Sequence, residues 1–214
     1  MDIIRLEHTF PEVFARQDDL HSEVWRQDVT FEKGRYYLVE AGSGTGKSSL
    51  CSFIYGYRND YQGMISFDGK NIRNFTPNDW VQIRRTHLSL MWQELRLFPE
   101  LTALENVLIK NRLTGHKQKK DIRRWFEELG IADKLDTPLA QMSFGQQQRV
   151  AMMRALAQPF DFLFVDEPIS HLDDGNTQLL TDIMVEEAAR QGAAIVVTSI
   201  GKHMDLKYNK VIKL

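Results

Sequence analysis

The stretch "AGSGTGKSS", Ala41 to Ser49, decides how the rest of the chain is read. It follows "RYYLVE" (35–40), which reads as a strand, and opens "SSLCSFIYG" (48–56), which reads as a helix. A glycine-rich loop in that setting is built to hold phosphate. Gly42, Gly44 and Gly46 let the backbone turn so that successive N–H groups point inward. The helix start behind them adds partial positive charge. Lys47 is placed to reach the β and γ phosphates of a nucleotide, and the Ser48 hydroxyl to take a place on Mg²⁺. The nucleotide-contact candidates are therefore Gly42, Ser43, Gly44, Thr45, Gly46, Lys47, Ser48 and Ser49. The usual pattern starts with one more glycine, and Ala41 stands there. Alanine is small and that position mainly makes the turn, so binding is expected to survive. A plain glycine-rich surface turn is the alternative, against which strand, lysine, serine and helix all argue.

Farther along, "FDFLFVDEP" (160–168) is an apolar run closed by two acids and a proline, the pattern of a buried parallel strand. It carries Asp166 and Glu167 out at the carboxyl edge, where ligands of open α/β sheets bind. Asp166 suits Mg²⁺, directly or through water. Glu167 suits a general base or a group that positions water against a γ-phosphate. Alone, two acids before a proline are an ordinary loop start. The phosphate loop upstream turns them into catalytic candidates.

Outward from these two stretches, strands alternate with helices. Residues 2–14 and 23–31 read as strands around the polar turn "ARQDDLHS". "MISFDGKNI" (64–72) reads as strand, turn and strand, and "THLSLMWQ" (86–93) as a further strand. A helical middle follows over roughly 100–158, with "DIRRWFEELG" the clearest amphipathic segment and Gly130 its stop. "TQLLTDIMVEEAARQG" (177–192) is a helix and "AAIVVTS" (193–199) a strand. This order predicts an α/β fold with a mainly parallel core sheet and a helical insertion between core strands.

With 214 residues the chain suits one well-buried core and is too short for two large domains. The formal net charge of -2 makes no electrostatic case for nucleic acid as the main partner. The single cysteine, Cys51, excludes an intramolecular disulfide and fits a reducing compartment. "MDIIRLEHTFPEVF" has no signal-type apolar region, and no apolar run is long enough to span a bilayer. Any membrane spans are therefore expected from another chain. The basic run 110–124 reads as a solvated loop and helix face. The four tryptophans, Trp25, Trp80, Trp92 and Trp125, read as packing residues, and the six histidines show no metal-ligand spacing.

Taken together, the motifs strongly resemble those of the ATP-binding cassette (ABC) ATPases over nearly the whole length. "AGSGTGKSS" matches the Walker A loop, "MWQE" carries the Q-loop glutamine Gln93, "MSFGQQQRVAMMRAL" matches the signature segment, "FLFVDEP" the Walker B strand, and "SHLDD" the D-loop with Asp173. The resemblance implies a P-loop fold with an N-terminal antiparallel β subdomain and an inserted helical subdomain. One nucleotide-binding domain would cover 1–214, with its core at about 1–93 and 156–214 and the helical subdomain at about 94–155. It implies ATP and Mg²⁺ as ligands, and a head-to-tail pair with a second such subunit, identical or not. In that pair Ser143, Phe144, Gly145 and Gln146 would face the partner's ATP. Gln93 would sense Mg²⁺ and the attacking water, giving Ser48, Gln93 and Asp166 as metal contacts. Glu167, Gln93 and Ser199 would be the catalytic positions. An aromatic ring would lie on adenine, with Phe10 the first candidate and Phe14 the second. Integral-membrane permease subunits complete the picture, placing the chain in the cytoplasm against the inner face of the plasma membrane. "LRLFPELTALENV" after Gln93 looks most like the subgroup serving lipoprotein release, cell division and macrolide-type efflux.

Three positions depart from the family pattern. Besides Ala41, Phe144 stands where the signature has glycine, and a bulky ring lacks glycine's backbone range. Ser199 in "IVVTSIGKH" stands where a histidine contacts the γ-phosphate, and serine carries no positive charge near neutral pH. His203 would need a different loop path to substitute. Two expectations follow: ATP binding with slow or partner-dependent hydrolysis, or ordinary hydrolysis in a lineage that tolerates the changes. A non-hydrolysing regulatory subunit, with ATP as a dimerisation switch, is a further reading. So is a soluble ABC ATPase for DNA repair or translation. Against the last, only 50 positions separate Gln93 from Ser143, too few for a long coiled coil, and the chain carries one cassette.

Overall fold

A computed structural model describes residues 1–15, 21–42, 44–169 and 172–214. Ser43, most of the predicted "ARQDDLHS" turn, and Ser170 and His171 of the D-loop lie outside the described residues. In chain order the elements are β1 (Ile3–Pro11), β2 (Val29–Glu32), β3 (Tyr36–Glu40), α1 (Lys47–Ile54), β4 (Tyr61–Phe67), β5 (Lys70–Asn71), α2 (Pro77–Thr86), β6 (Leu88–Met91), α3 (Ala103–Asn111), α4 (Lys119–Glu128), α5 (Phe144–Leu156), β7 (Phe162–Asp166), α6 (Asp174–Gln191), β8 (Ala194–Ser199) and β9 (Lys210–Lys213).

Two sheets form. The first is antiparallel, in the order β2-β1-β4-β5. The second is parallel throughout, in the order β6-β7-β8-β3-β9. Strand alternation sends successive side chains of the parallel sheet to opposite faces. Leu163, Val165, Ile195 and Val197 pack on one face with Val150 and Met153 of α5 and Leu180 and Met184 of α6. Phe162, Phe164, Ala194 and Val196 pack on the other with Leu50, Phe53 and Ile54 of α1 and with Ile4, Leu6 and Ile65 of the antiparallel sheet. The α/β reading holds, and the sheet is parallel because helical crossovers connect its strands.

The helical middle lies between β6 and β7, where the sequence placed it. Its helices start on side-chain caps. Thr102 and Glu105 form a reciprocal capping box at α3, and Ser143 and Gln146 do the same at α5. Gly130 takes a left-handed φ of 64° just past α4, the predicted stop.

Several expectations change. Residues 23–28 are turn and loop, not strand, so the second strand begins at Val29. Helix α2 and strand β9 were not anticipated. The basic run is not all solvated: the Lys117 ammonium is buried against the Glu187 carboxylate at 2.6 Å, joining the helical middle to α6. Among the described residues, no helix is long and apolar enough to cross a membrane.

Candidate functional site

The carboxyl ends of β3, β7 and β8 meet at the phosphate loop, because the register pairs Glu40 with Ser199 and Asp166 with Thr198. Gly44 has φ 80° and Gly46 φ 103°, a region open to glycine at little cost. The loop therefore turns at these two glycines before α1 begins at Lys47. At Gly46 a Cβ would lie 3.0 Å from both Phe14 and Trp25, a tight fit that adds to the strain any side chain would meet at this φ.

Five side chains converge beyond the loop: Lys47, Ser48, Asp166, Glu167 and Thr198. The Lys47 ammonium sits 3.2 Å from Glu167 Oε1, with both side chains largely buried. The Ser48 hydroxyl donates to Asp166 Oδ2 at 3.0 Å, and the Thr198 hydroxyl donates to Asp166 Oδ1. Burial pushes the Asp166 carboxyl up, and the hydrogen bonds from Thr198 and Ser48 oppose that shift. Glu167 follows directly with φ 49°, and its N–H donates to the Thr198 carbonyl at 3.1 Å. A non-glycine residue held in the left-handed region costs about 1 kcal/mol or more, and such strain concentrates at functional sites. The backbone twist aims Glu167 at Lys47 while Asp166 faces Ser48.

Ser48 and Asp166 offer hard oxygen donors fixed side by side. That fits Mg²⁺, which takes one or two carboxylates and completes its shell with water and substrate phosphates. Among the described residues there is no cluster of three or more acids, histidines or cysteines to hold a metal by protein groups alone.

Gln93 is exposed just past the end of β6, at the carboxyl edge of the same sheet. Ser199 ends β8 and is only 5% exposed. Its hydroxyl donates to the Lys202 carbonyl, and its own carbonyl accepts from Ala41 N–H at 3.1 Å. His203 lies 3.0 Å from Glu40 Oε1. Lys202 reaches across to the Leu172 carbonyl at 3.1 Å and to Asp174 at 3.2 Å, linking the loop after β8 to the start of α6. Asp173 caps α6 by accepting from Asn176 N–H at 2.8 Å, which holds its carboxyl below the usual range.

Ser143 is the cap of α5, and its hydroxyl accepts from Gln146 N–H at 3.3 Å. Phe144 occupies the first helical position, with no left-handed φ, and its ring is 42% exposed. The concern that phenylalanine lacks glycine's backbone range is thereby corrected: α5 asks only for ordinary helical geometry here. What distinguishes Phe144 is the ring on the surface beside Ser143.

Phe10 is 3% exposed, with the Arg26 guanidinium 4.1 Å above its ring. Phe14 is also buried, but lies against Gly46 of the phosphate loop. Sequence reasoning missed Trp25 as a support of the site. Its indole N–H donates to the Thr45 carbonyl at 2.9 Å, and its ring backs Gly46. Arg58 likewise donates to the Ser49 hydroxyl at 2.9 Å. Neither residue sits in a motif, and only tertiary contact reveals them.

Comparison with known proteins agrees with this geometry. The profile of the family described as "ABC transporter" matches residues 26–170. The lipoprotein-releasing system ATP-binding protein LolD of Aquifex aeolicus is 34% identical over 174 residues, covering 79% of this chain and 77% of that protein. An uncharacterized ABC transporter ATP-binding protein of Escherichia coli, YbbA, is 26% identical over 216 residues, covering 100% of this chain and 94% of its own. Among solved structures, the dimeric bacterial ABC transporter cassette MJ0796 superposes with a TM-score of 0.74 at 25% identity, covering 92% of this chain and 87% of that one.

Proposed function

This chain belongs to the ABC transporter family, and on that premise we propose that it is the ATP-binding, ATP-hydrolysing subunit of a transporter whose membrane-spanning part is another chain. The observation that carries the reading is the paired contact Lys47–Glu167 at 3.2 Å and Ser48–Asp166 at 3.0 Å, at the mouth of a loop that turns through the left-handed region at Gly44 and Gly46. When ATP enters, Lys47 exchanges the Glu167 carboxylate for β and γ phosphate oxygens. Ser48 and Asp166, with Gln93, would hold Mg²⁺, which neutralises charge on the phosphates. Glu167, released from Lys47, accepts a proton from the water that attacks the γ-phosphorus. The new P–O bond forms as the bond to the β–γ bridging oxygen breaks, and ADP leaves. Ser143 and the α5 N-terminus complete the site of a second subunit, as the dimeric state of the MJ0796 cassette suggests for this chain. Of the two adenine candidates we favour Phe14, since it abuts the phosphate loop. The domain division at about 94 and 155, and a place at the inner face of the plasma membrane through permease subunits, belong to the same proposal. So does the likeness to lipoprotein-release systems.

One observation favours a second reading, in which the isolated chain hydrolyses ATP slowly. The Ser199 hydroxyl is engaged with the Lys202 carbonyl and Ser199 is buried, so the position that holds histidine in the family makes no charged γ-phosphate contact. Steady-state ATPase of the purified chain, alone and with its membrane partner, separates the two. Turnover by the isolated chain with loss in Glu167→Gln supports the first; long-lived ATP dimers of the unmodified chain support the second. Absence of any ATP binding refutes both.

A further inference from the structure

Glu167 has φ 49°, a region in which a non-glycine residue stays only where its surroundings hold it. Part of that support is close by. The Glu167 N–H donates to the Thr198 carbonyl at 3.1 Å, and Gln148 of α5 donates to the Pro168 carbonyl at 3.4 Å. The connection from β7 then leads to α6, and its far end is held from another direction. The Lys202 ammonium donates to the Leu172 carbonyl at 3.1 Å and pairs with Asp174 at 3.2 Å. Leu172 is buried, and its own N–H donates to the Ile169 carbonyl at 3.3 Å. A hold on Leu172 is therefore passed back toward Pro168 and Glu167.

The turn after β8 is shaped to deliver that lysine. The Ser199 hydroxyl donates to the Lys202 carbonyl, and the Lys202 N–H donates to the Ile200 carbonyl at 2.8 Å. Gly201 between them takes φ 74°, which glycine adopts at little cost. The other side of the turn is fastened to the root of the phosphate loop. Ala41 N–H donates to the Ser199 carbonyl at 3.1 Å, and His203 lies 3.0 Å from Glu40 Oε1. Residues 199–203 thus form a strut between the phosphate loop and the start of α6. Stability does not account for its outer contact. The Lys202 side chain is 50% exposed and that of Asp174 97% exposed, and an ion pair so open adds little to folding.

We infer that Lys202 is a positioning residue for hydrolysis. It fixes the far end of the connection that carries Glu167, and so keeps that carboxylate aimed at the water that attacks the γ-phosphorus. The inference rests on the ATPase reading and adds a residue to it. Lys202 acts through the Leu172 carbonyl and Asp174, not on the reacting atoms. Ser199 offers no cation to the phosphate, but the turn that starts there places one on the Glu167 connection instead. A contact of small worth to the fold still decides a rate, because a slight displacement of a catalytic group is costly at the transition state.

The test is single-turnover hydrolysis of radiolabelled ATP with Mg²⁺ and the purified full chain in excess, which reads even a slow rate. Lys202→Met should lower the rate constant by about tenfold, with fluorescent-nucleotide affinity and Tm unchanged. Lys202→Arg keeps the charge and the donors and should restore most of the rate. Asp174→Asn should cost less than Lys202→Met, since the Leu172 carbonyl still accepts from Lys202. The double variant should be no slower than Lys202→Met alone, because both changes act on one contact. An unchanged rate in Lys202→Met, or losses that multiply in the double variant, overturns the proposal. So does a fall in Tm that tracks the rate, or a loss of nucleotide affinity that accounts for all of it. A wild-type chain that binds ATP and hydrolyses none overturns the ATPase reading and this proposal together. Wild-type turnover that Lys202→Met leaves intact overturns this proposal alone.

Discussion

Lys110→Met should stabilise the free chain, and the gain should depend on pH in a defined way. An ordinary lysine holds its proton to about 10.5, and Lys110 is pushed down to about 8 by burial and by Arg154 and Arg84. At 1.36 kcal/mol for each tenfold change, that displacement corresponds to about 3 kcal/mol of penalty in the folded state. The ammonium keeps partial contact with solvent and its surroundings relax, so a net gain of about 1–2 kcal/mol is expected. For a chain of this size that is a rise in Tm of roughly 4 °C. The sign follows from proton linkage. Between about pH 8 and 10.5 the unfolded chain binds the Lys110 proton and the folded chain does not, so wild-type stability climbs with pH. The variant lacks that climb. Its advantage is full below pH 8 and shrinks toward zero as pH passes 10.5. Urea unfolding of both proteins at pH 7 and pH 10.5 measures it, since all other titrations are common to the pair. A variant no more stable than wild type at pH 7, or an advantage equal at both pH values, would refute the reasoning.

Three further outcomes follow from the site. Thr198→Val strips Asp166 Oδ1 of its donor, so stability should drop by about 1–3 kcal/mol and half-maximal ATPase should require more Mg²⁺, read from a magnesium titration. Gly46→Ala places a methyl 3.0 Å from Phe14 and Trp25 at φ 103°; fluorescent-nucleotide binding should fall at least tenfold, with tryptophan emission shifted. Phe144→Gly at the first position of α5 should cost roughly 1 kcal/mol or less in helix stability. Together with Ser199→His it should raise ATPase turnover; no gain in steady-state rate would mean that these positions do not limit it.

Much of this molecule was legible in the chain. The phosphate loop and the acidic strand end are local patterns, and the structure brings them together because parallel pairing aligns the strands that carry them. Other elements lacked a local signal of the kind sought. Helix α2 packs on the core only through the partly buried Trp80 and Ile83, too few for a clear apolar period; its capping box, with Thr76, Pro77 and Asp79, was the readable trace. Strand β9 has four residues, of which only Ile212 is buried. Trp25 and Thr198 serve the site through contacts across the fold, Trp25 with a loop 20 residues away and Thr198 with a strand 32 residues away. No spacing in the sequence encodes such contacts. Lys110 illustrates the reverse: a charge run suggests solvation, while packing of α3 against α5 withdraws one lysine from water.

The four tryptophans divide the molecule into optical territories. Trp25 touches the phosphate loop through its indole N–H, Trp92 lies under Arg96 beside Gln93, Trp80 meets Arg84, and Trp125 is buried in the helical middle near Lys117. Each indole thus has its own cation or carbonyl as a local quencher or polarity gauge. Chains keeping one tryptophan at a time would report nucleotide arrival, loop displacement and helical-region motion as separate colours of the same emission, with no label attached.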